Sequence, residues 1–322
     1  MGEFELIRQF FAAAHCAQAV EGVALGIGDD CALLELAAGQ QLAVSTDTLV
    51  AGVHFPAVCD PSLLGQRVLA VAVSDLAAMG AEAIGFTLAL TLPEVDAQWL
   101  KDFSDGLSRM AHRSRMSLIG GDTTRGPLSF TVTVFGRVPA GQALRRDGAR
   151  PGDLLCVGDH LGDAAGALSL VLGERQAAQE LARPLLARYW APMPQSTLGQ
   201  LLRGHASAAL DISDGLLADC GHIAKASGVA LEVNQQQVPV STELQALLGR
   251  DAALQAALTG GDDYVLAFTI APEALQRLVL PGFIHVHVIG RVLPGAGVTL
   301  RDSQGHDITP VQRGYQHFRE TP

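Results

Sequence analysis

Apolar and polar positions alternate along this chain with two different periods. Between residues 63 and 79, Leu64, Val68, Ala72 and Leu76 recur at every fourth position, which is the spacing of one helix face. Leu100, Phe103, Leu107 and Met110, spaced three or four apart within 98–116, fall on one face and predict a second helix. The stretch 130–138 alternates apolar residues with threonine and predicts a half-buried strand. Apolar runs at 41–46, 84–92 and 117–120 read as further strands, the first feeding a loop at Ser45-Thr46-Asp47 and the second stopped by Pro93. Residues 4–14 read as a helix that is polar on one side. A polar, turn-rich stretch at 145–152 interrupts the pattern, which then restarts. Strands are predicted at 153–157, 208–212, 264–270, 284–292 and 298–300, with helices at 161–172 and from Asp214 or Gly215 to 226. This succession predicts an α+β or mixed α/β fold in two lobes, which we divide at 1–145 and 146–322.

The length of 322 residues fits two domains of about 150 residues each. Hydrophobic residues at 48% and charged residues at 17% supply a core, while aromatics at 5% leave its volume to Ala, Leu and Val. The net charge of −11 gives no general attraction for nucleic-acid phosphates. No apolar stretch reaches the roughly 18 residues that span a bilayer, so no membrane partner is expected. The acidic start, Met1-Gly2-Glu3-Phe4-Glu5-Leu6, is unlike a signal peptide, and Leu6 stands where a myristoylation signal needs Ser or Thr. Five scattered cysteines without a CxxC pair indicate neither zinc nor a disulfide framework, and the expected setting is the reducing cytoplasm. The two lysines, Lys101 and Lys225, do not follow glycine, which excludes a Walker A loop.

The remaining signal is aspartate. Acidic residues sit where apolar runs meet glycine or hydroxyl turns: Gly26-Ile27-Gly28-Asp29-Asp30, Ser45-Thr46-Asp47-Thr48, Ser74-Asp75, Gly120-Gly121-Asp122-Thr123-Thr124, Asp211-Ile212-Ser213-Asp214-Gly215 and Gly260-Gly261-Asp262-Asp263. Each alone reads as an ordinary turn or helix cap. Asp75 is harder to explain that way, because it falls inside an apolar helix where a buried carboxylate needs a partner, and a cation suits better than the one nearby base, Arg67. Two carboxylates at 4 Å repel by about 4 kcal/mol at an effective dielectric of 20, so a cluster of them requires cations. Hard oxygen ligands without Cys or His select Mg²⁺ or Mn²⁺, and Mg²⁺ shares its ligands readily with phosphates. Other chemistries fail on spacing. Cys31 replaces the third glycine of a dinucleotide fingerprint, and the segment at Asp211 lacks the EF-hand ligand pattern. A Gly-x-Ser-x-Gly elbow and a His-Glu-x-x-His helix are missing too, so no covalent nucleophile or general base is assigned. His285 and His287 read as polar residues on one strand face, and His15, His160, His205 and His222 as structural. His54, beside the second acidic motif, reads equally as a surface loop residue or as a site residue.

Taken together and in order, these motifs resemble the thiamine-monophosphate kinase family of the aminoimidazole-ribonucleotide-synthetase superfamily. The resemblance runs from Gly2 to the tail Tyr315-Gln316-His317-Phe318 and includes His54-Phe55 and Ser74-Asp75-Leu76-Ala77-Ala78-Met79-Gly80-Ala81. It implies ATP-dependent phosphorylation of thiamine monophosphate to thiamine diphosphate, with several Mg²⁺ ions. It also implies a homodimer whose N-terminal lobes share a β-barrel, each followed by an α/β lobe. By resemblance the metal ligands are Asp30, Ser45, Thr46, Asp47, Asp75, Asp122, Asp211 and Asp214. The ATP contacts are Gly121, Asp122, Arg146 and Ser213, and the substrate contacts are His54, Asp262 and Phe318. Two departures stand out. Asp262 occupies the place of the family's Glu, one methylene shorter, and 111–115 lacks the tyrosine that relatives carry near the adenine, where Arg113 could stack instead. Alternative readings are another ATP-using enzyme of the superfamily, such as selenophosphate synthetase or a hydrogenase maturation factor, or a non-catalytic divalent-cation scaffold. The first two carry a reactive terminal cysteine, whereas here no Cys follows Cys220 and Cys16 sits in an Ala-rich helix.

Overall fold

The structure, a computed structural model, describes residues 3–27 and 31–315. It contains two compact units, one of Met1–Leu76, Ala81–Gly141 and Trp190–Ser196, the other of Ala77–Gly80, Gln142–Tyr189 and Thr197–Pro322.

The first unit opens with a short helix α1 (Glu3–Leu6) that passes into a π-helical turn over Ile7–Ala12, so the expected helix at 4–14 is broken into two types. A small antiparallel pair, β1 (Val23–Leu25) and β2 (Leu33–Leu34), follows. The main sheet is built from β3 (Gln40–Val50), β4 (Glu82–Leu92), β5 (Ser117–Arg125) and β6 (Ser129–Pro139), in the order β3-β6-β4-β5. Helix α2 (Pro61–Ala78) precedes β4, and α3 (Ala97–Ser114) makes the crossover that lets β4 and β5 run parallel. Asp96 caps α3 by accepting from the N–H groups of Gln98 and Trp99, and Arg115 ends it in the left-handed conformation at φ 55°. The expected apolar face of α3, Leu100, Phe103, Leu107 and Met110, is buried. Phe103 stacks on Phe130 of β6 at 4.9 Å between centroids and on Trp99 at 5.2 Å. The two helices meet backbone to backbone. A Cβ on Gly106 would lie 2.0 Å from the Ser62 carbonyl oxygen, and one on Gly65 would lie 2.3 Å from that of Phe103.

On β6, Phe130, Val132, Val134 and Val138 are buried while Thr131 and Thr133 turn to the other face. β3 pairs with β6 without a break from Gln40↔Pro139 to Val50↔Ser129. Both β3 and β5 therefore run further than expected, and Ser45-Thr46-Asp47 and Gly120–Thr124 lie inside strands rather than in loops. Their polar residues mark an uncovered sheet face, where threonines bond across strands: Thr46 with Thr133 and Thr48 with Thr131, each at 2.9 Å.

The second unit holds a six-stranded sheet of β7 (Leu154–Val157), β8 (Ala206–Asp211), β9 (Ala230–Asn234), β10 (Leu266–Ile270), β11 (His287–Leu293) and β12 (Gly297–Arg301), in the order β12-β9-β11-β7-β10-β8. Only the β12–β9 pair is parallel. The helices of this part of the chain are α4 (Asp163–Val171), α5 (Gln179–Trp190), α6 (Ser196–Leu202), α7 (Leu216–Ser227), α8 (Thr242–Leu248), α9 (Arg250–Thr259) and α10 (Pro272–Arg277). Alternate strand residues feed two separate cores. Leu155, Val157, Leu210 and Ala267 join residues of α7 and α9 in one, and Cys156, Ala209, Leu266 and Phe268 join Leu198, Leu202 and Ala274 in the other. All five residues of β10 are consequently buried. The fold is mixed α/β, and among the described residues the four-stranded sheet of the first unit does not close into a barrel. Among the described residues no helix is long and apolar enough to cross a membrane.

Candidate functional site

In the first unit, Ser45 and Asp47 lie opposite Val134 and Val132 and so share the helix-facing side of β3. From α2, Asp75 accepts a hydrogen bond from the Ser45 hydroxyl. Asp75 is half-buried rather than fully buried as expected, because the helix turns it toward the edge strand instead of into the core. Thr46, one residue along, points to the other face. Asp122 is exposed on β5, opposite Ala89 of β4, and its carboxylate accepts from the Thr123 N–H at 2.9 Å. Ala89 pairs with Thr131, which puts Asp122 on the open threonine face, on the opposite edge strand from Asp47. Gly121 approaches β4 so closely that a Cβ would lie 2.0 Å from the Leu88 carbonyl oxygen. The sheet thus gathers Ser45, Asp47 and Asp75 and keeps Asp122 apart from them. Among the described residues no three His, Cys, Asp or Glu side chains form a group able to hold a metal ion. The donors on the helix-facing side are a hydroxyl and two carboxylates, without thiol or imidazole. That set suits Mg²⁺, which takes one or two carboxylates and keeps water or phosphate as its other ligands.

His54 sits in a tight turn after β3. Its Nδ1 accepts from the Val50 N–H at 3.0 Å, which leaves the imidazole proton on Nε2. The guanidinium of Arg67, a fully buried α2 residue, donates to the His54 carbonyl at 3.3 Å and fixes the turn from below. Arg113, exposed near the end of α3, lines a cavity of about 380 Å³ with His15, Ser108, Arg109 and His112.

In the second unit, β8 delivers the buried Asp211, and the turn Ile212–Gly215 leads into α7. The turn pairs with the segment after α9. Asp262 N–H donates to the Ser213 carbonyl and Tyr264 N–H to that of Ile212, both at 2.8 Å. Asp262 and Tyr264 both hold left-handed backbone, at φ 71° and 51°, which is rare for residues with side chains and typical of functional sites. The Tyr264 hydroxyl donates to Asp262 at 3.1 Å and orients its carboxylate. Between them Asp263 is half-buried and accepts from the Gly162 N–H with both oxygens, at 2.9 and 2.8 Å. Burial, aided by nearby Asp163 and Asp262, raises its pKa well above the usual carboxylate range despite that N–H. Asp219 on α7 accepts from three consecutive N–H groups, those of Ser213, Asp214 and Gly215. Burial pushes it up to about 6, with Asp214 adding to the rise and the N–H bonds opposing it. Arg146 is exposed on the segment flanking β8, where the Arg145 carbonyl accepts from the Ala209 N–H at 2.8 Å. The tail reaches the same turn: Tyr315 N–H donates to the Asp214 carbonyl at 2.9 Å. Asp30 and Phe318 lie outside the described residues. The sequence names Arg67 only as a poorer partner for Asp75 than a cation, and does not single out Asp219 or Tyr264. Asp219 looks like any acidic residue in the first turns of a helix, and only its place five residues after Asp214 hints at its role.

Two lobes of this kind, with acidic strands in one and an acidic turn feeding a helix in the other, correspond to a known protein class. The family model described as "AIR synthase related protein, N-terminal domain" matches residues 28–138, and "AIR synthase related protein, C-terminal domain" matches residues 150–303. The chain is 46% identical over 325 residues to a thiamine-monophosphate kinase of Salmonella typhimurium, with 98% of each chain covered. The crystal structure of thiamine-monophosphate kinase from Stenotrophomonas maltophilia K279a is similar at a TM-score of 0.82 and 48% identity, over 87% of this chain and 91% of that one. A structure of AaThiL complexed with AMPPCP and TMP is similar at a TM-score of 0.79 and 30% identity, over 88% and 89%. The chain belongs to the thiamine-monophosphate kinase family.

Proposed function

We propose that this kinase transfers the γ-phosphoryl group of ATP to thiamine monophosphate, forming thiamine diphosphate by direct in-line displacement with several Mg²⁺ ions. The observation that carries the reading is the 46% identity over 98% of both chains to the Salmonella typhimurium kinase. The AaThiL complex with AMPPCP and TMP supports both substrates. When bound, Mg²⁺ would offset the repulsion between the two phosphate groups. Asp47, Asp75 and the Ser45 hydroxyl would hold it in the first unit. We assign further metal contacts to Asp30, Thr46 and Asp122, and to Asp211 and Asp214 of the second unit.

The chain's own groups do positioning rather than covalent work. Gly121, whose missing side chain makes room for β4, would present its backbone to a phosphate, and Ser213 adds a hydroxyl beside Asp214. Arg146 contributes a positive charge that needs no metal. His54, protonated on Nε2, donates toward thiamine monophosphate, while Asp262 and Phe318 contact its ring system. The attacking phosphate oxygen is already ionised near pH 7, so a strong general base is unnecessary. We assign metal and ATP binding and dimerisation to 1–145, with an α/β lobe at 146–322. The dimer would close two four-stranded sheets into a shared eight-stranded barrel, a size whose interior side chains can fill. The five cysteines are free, as the cytoplasm we propose for this enzyme would keep them.

The test is ATP consumption by the purified chain with each component omitted in turn. Turnover should require both thiamine monophosphate and Mg²⁺, and Asp47→Asn should reduce it by at least about 100-fold, the loss of several kcal/mol of charge stabilisation. ATP consumption that ignores thiamine monophosphate would overturn the substrate, and an unimpaired Asp47→Asn would overturn the metal set.

A further inference from the structure

The Ser213–Gly215 turn offers three consecutive N–H groups, and one oxygen of Asp219 takes all three, at 3.0, 3.0 and 3.1 Å. The carbonyls of the same segment are taken as well. Ile212 receives Tyr264, Ser213 receives Asp262, and Asp214 receives Tyr315. The packing leaves no slack at these junctions. A Cβ on Gly261 would lie 2.4 Å from the Ser213 oxygen, and one on Gly314 would lie 2.5 Å from the Asp214 oxygen. One short turn is therefore joined on one side to the segment carrying Asp262 and on another to the tail at Tyr315. Asp219 itself is 4% exposed and has no part in the transfer chemistry described above.

We propose that Asp219 is the positioning residue that sets this turn, and through it ties the nucleotide and metal contacts Ser213 and Asp214 to the substrate contact Asp262 and to the tail at Tyr315. One carboxylate oxygen accepts all three converging N–H groups, and its charge strengthens each bond. An asparagine keeps an acceptor oxygen but loses the charge, and an alanine leaves all three N–H groups without this partner, the buried Gly215 N–H among them. A carboxylate in the first turns of α7 also meets the positive end of the helix. Displacing the turn moves both its neighbours, so the two substrates should respond together. This inference rests on the proposed function, and it goes beyond it in assigning the coupling to a residue that touches neither substrate.

The experiment compares Asp219→Asn and Asp219→Glu with the wild type, and uses Gly106→Ala as a destabilised control whose change lies in the other unit. For the folded protein, Asp219→Asn should raise the KM for ATP and the KM for thiamine monophosphate by about tenfold or more each. Asp219→Glu, which keeps the charge but not the length, should fall between it and the wild type, and Gly106→Ala should lower Tm with both KM values unchanged. Hydrogen exchange supplies a readout independent of turnover. Asp219→Asn should speed exchange at Ser213, Asp214 and Gly215, and also at Asp262, Tyr264 and Tyr315, which Asp219 does not touch. Both KM values within twofold of the wild type, or faster exchange confined to residues 213–215, would overturn the proposal. A wild type without thiamine-monophosphate-dependent turnover defeats the functional reading instead, and exchange at Asp262, Tyr264 and Tyr315 then decides the positioning role alone.

Discussion

The imidazole of His54 owes its tautomer to its own backbone. Val50 N–H occupies Nδ1, so Nε2 is left as the donor. A neutral donor in a turn held by Arg67 is suited to a phosphate or another anionic acceptor, and has little to offer as a base. A hydrogen bond to a charged group contributes about 1.5–3 kcal/mol, so His54→Ala should raise the KM for thiamine monophosphate roughly 10- to 100-fold. The KM for ATP and kcat should change little. Initial-rate kinetics with each substrate varied would decide, and an unchanged KM for thiamine monophosphate removes His54 from the site. At this scale the sequence was uneven. Asp75 stood out as an acidic residue inside an apolar helix, and Asp47 and Asp214 as acidic residues where apolar runs meet hydroxyl or glycine turns. Asp219 and Arg67 were not legible, because their work is done by hydrogen bonds to backbone groups that come close only after folding.

Between elements, the close helix contact in the first unit depends on two glycines. Gly106 of α3 leaves 2.0 Å between a would-be Cβ and the Ser62 carbonyl, so an alanine there cannot be relieved by a side-chain rotation. Gly106→Ala should destabilise the chain by about 2–3 kcal/mol, the usual cost of overpacking, although helix propensity alone would favour it. A shift of the urea midpoint to lower concentration without a change in slope is the expected outcome.

A second junction lies where β7 meets α4 and α5. Asp159 bonds to His160 at 3.1 Å and to Arg188 at 2.7 Å. Burial acts to raise the Asp159 pKa, but His160 and Arg188 together outweigh it and hold the carboxyl well below its usual range. The same hydrogen bond raises His160. A lowered carboxyl contributes stability that is present above its ordinary value near 4 and lost as pH falls through the depressed one. A raised imidazole contributes below about 6.5 and loses that contribution as pH rises through its folded value. Asp159→Asn should therefore lose most stability, relative to the wild type, between about pH 4 and 6.5. The gap should narrow below that window, and above it only in part, because Arg188 stays charged. Denaturant midpoints across this range are the measurement.

The elements themselves were legible where periodicity is strong, as in α2, α3 and β6. They were missed where it is weak. Pro184 sits inside α5, and α8 and α9 are short helices separated by Gly249. The ends of β3 and β5 were missed for a different reason. Their Ser, Thr and Gly residues read as loop, yet they occupy strands whose second face carries exposed residues such as Thr46 and Thr48.

That uncovered face sets the question for the whole molecule. Leu42 is 45% exposed and Val44 54%, in line along β3 with Thr46 and Thr48. Together with the threonines of β6 they form an apolar and hydroxyl surface on a sheet whose edge strands are β3 and β5. Exposed edges and apolar faces invite pairing, and a second copy is the partner we propose. The placement of the aspartates agrees with this. Thr46 and Asp122 point to the same open face but stand on opposite edges, three strand spacings or about 14 Å apart in a flat sheet. Curling the sheet into a shared barrel, with the edge of one copy meeting the other edge of its partner, shortens that separation in a way one chain cannot. Val44→Asp tests the arrangement. In a monomer the new carboxylate would face water and leave the fold intact, whereas in a closed barrel it would be buried without a partner at a cost of several kcal/mol. The wild type should sediment at twice the 33.7 kDa chain mass and the variant as a single chain, with its activity lost in parallel. A wild type that sediments as a single chain and turns over at full rate would refute the shared barrel, and each subunit would then have to complete its metal set alone.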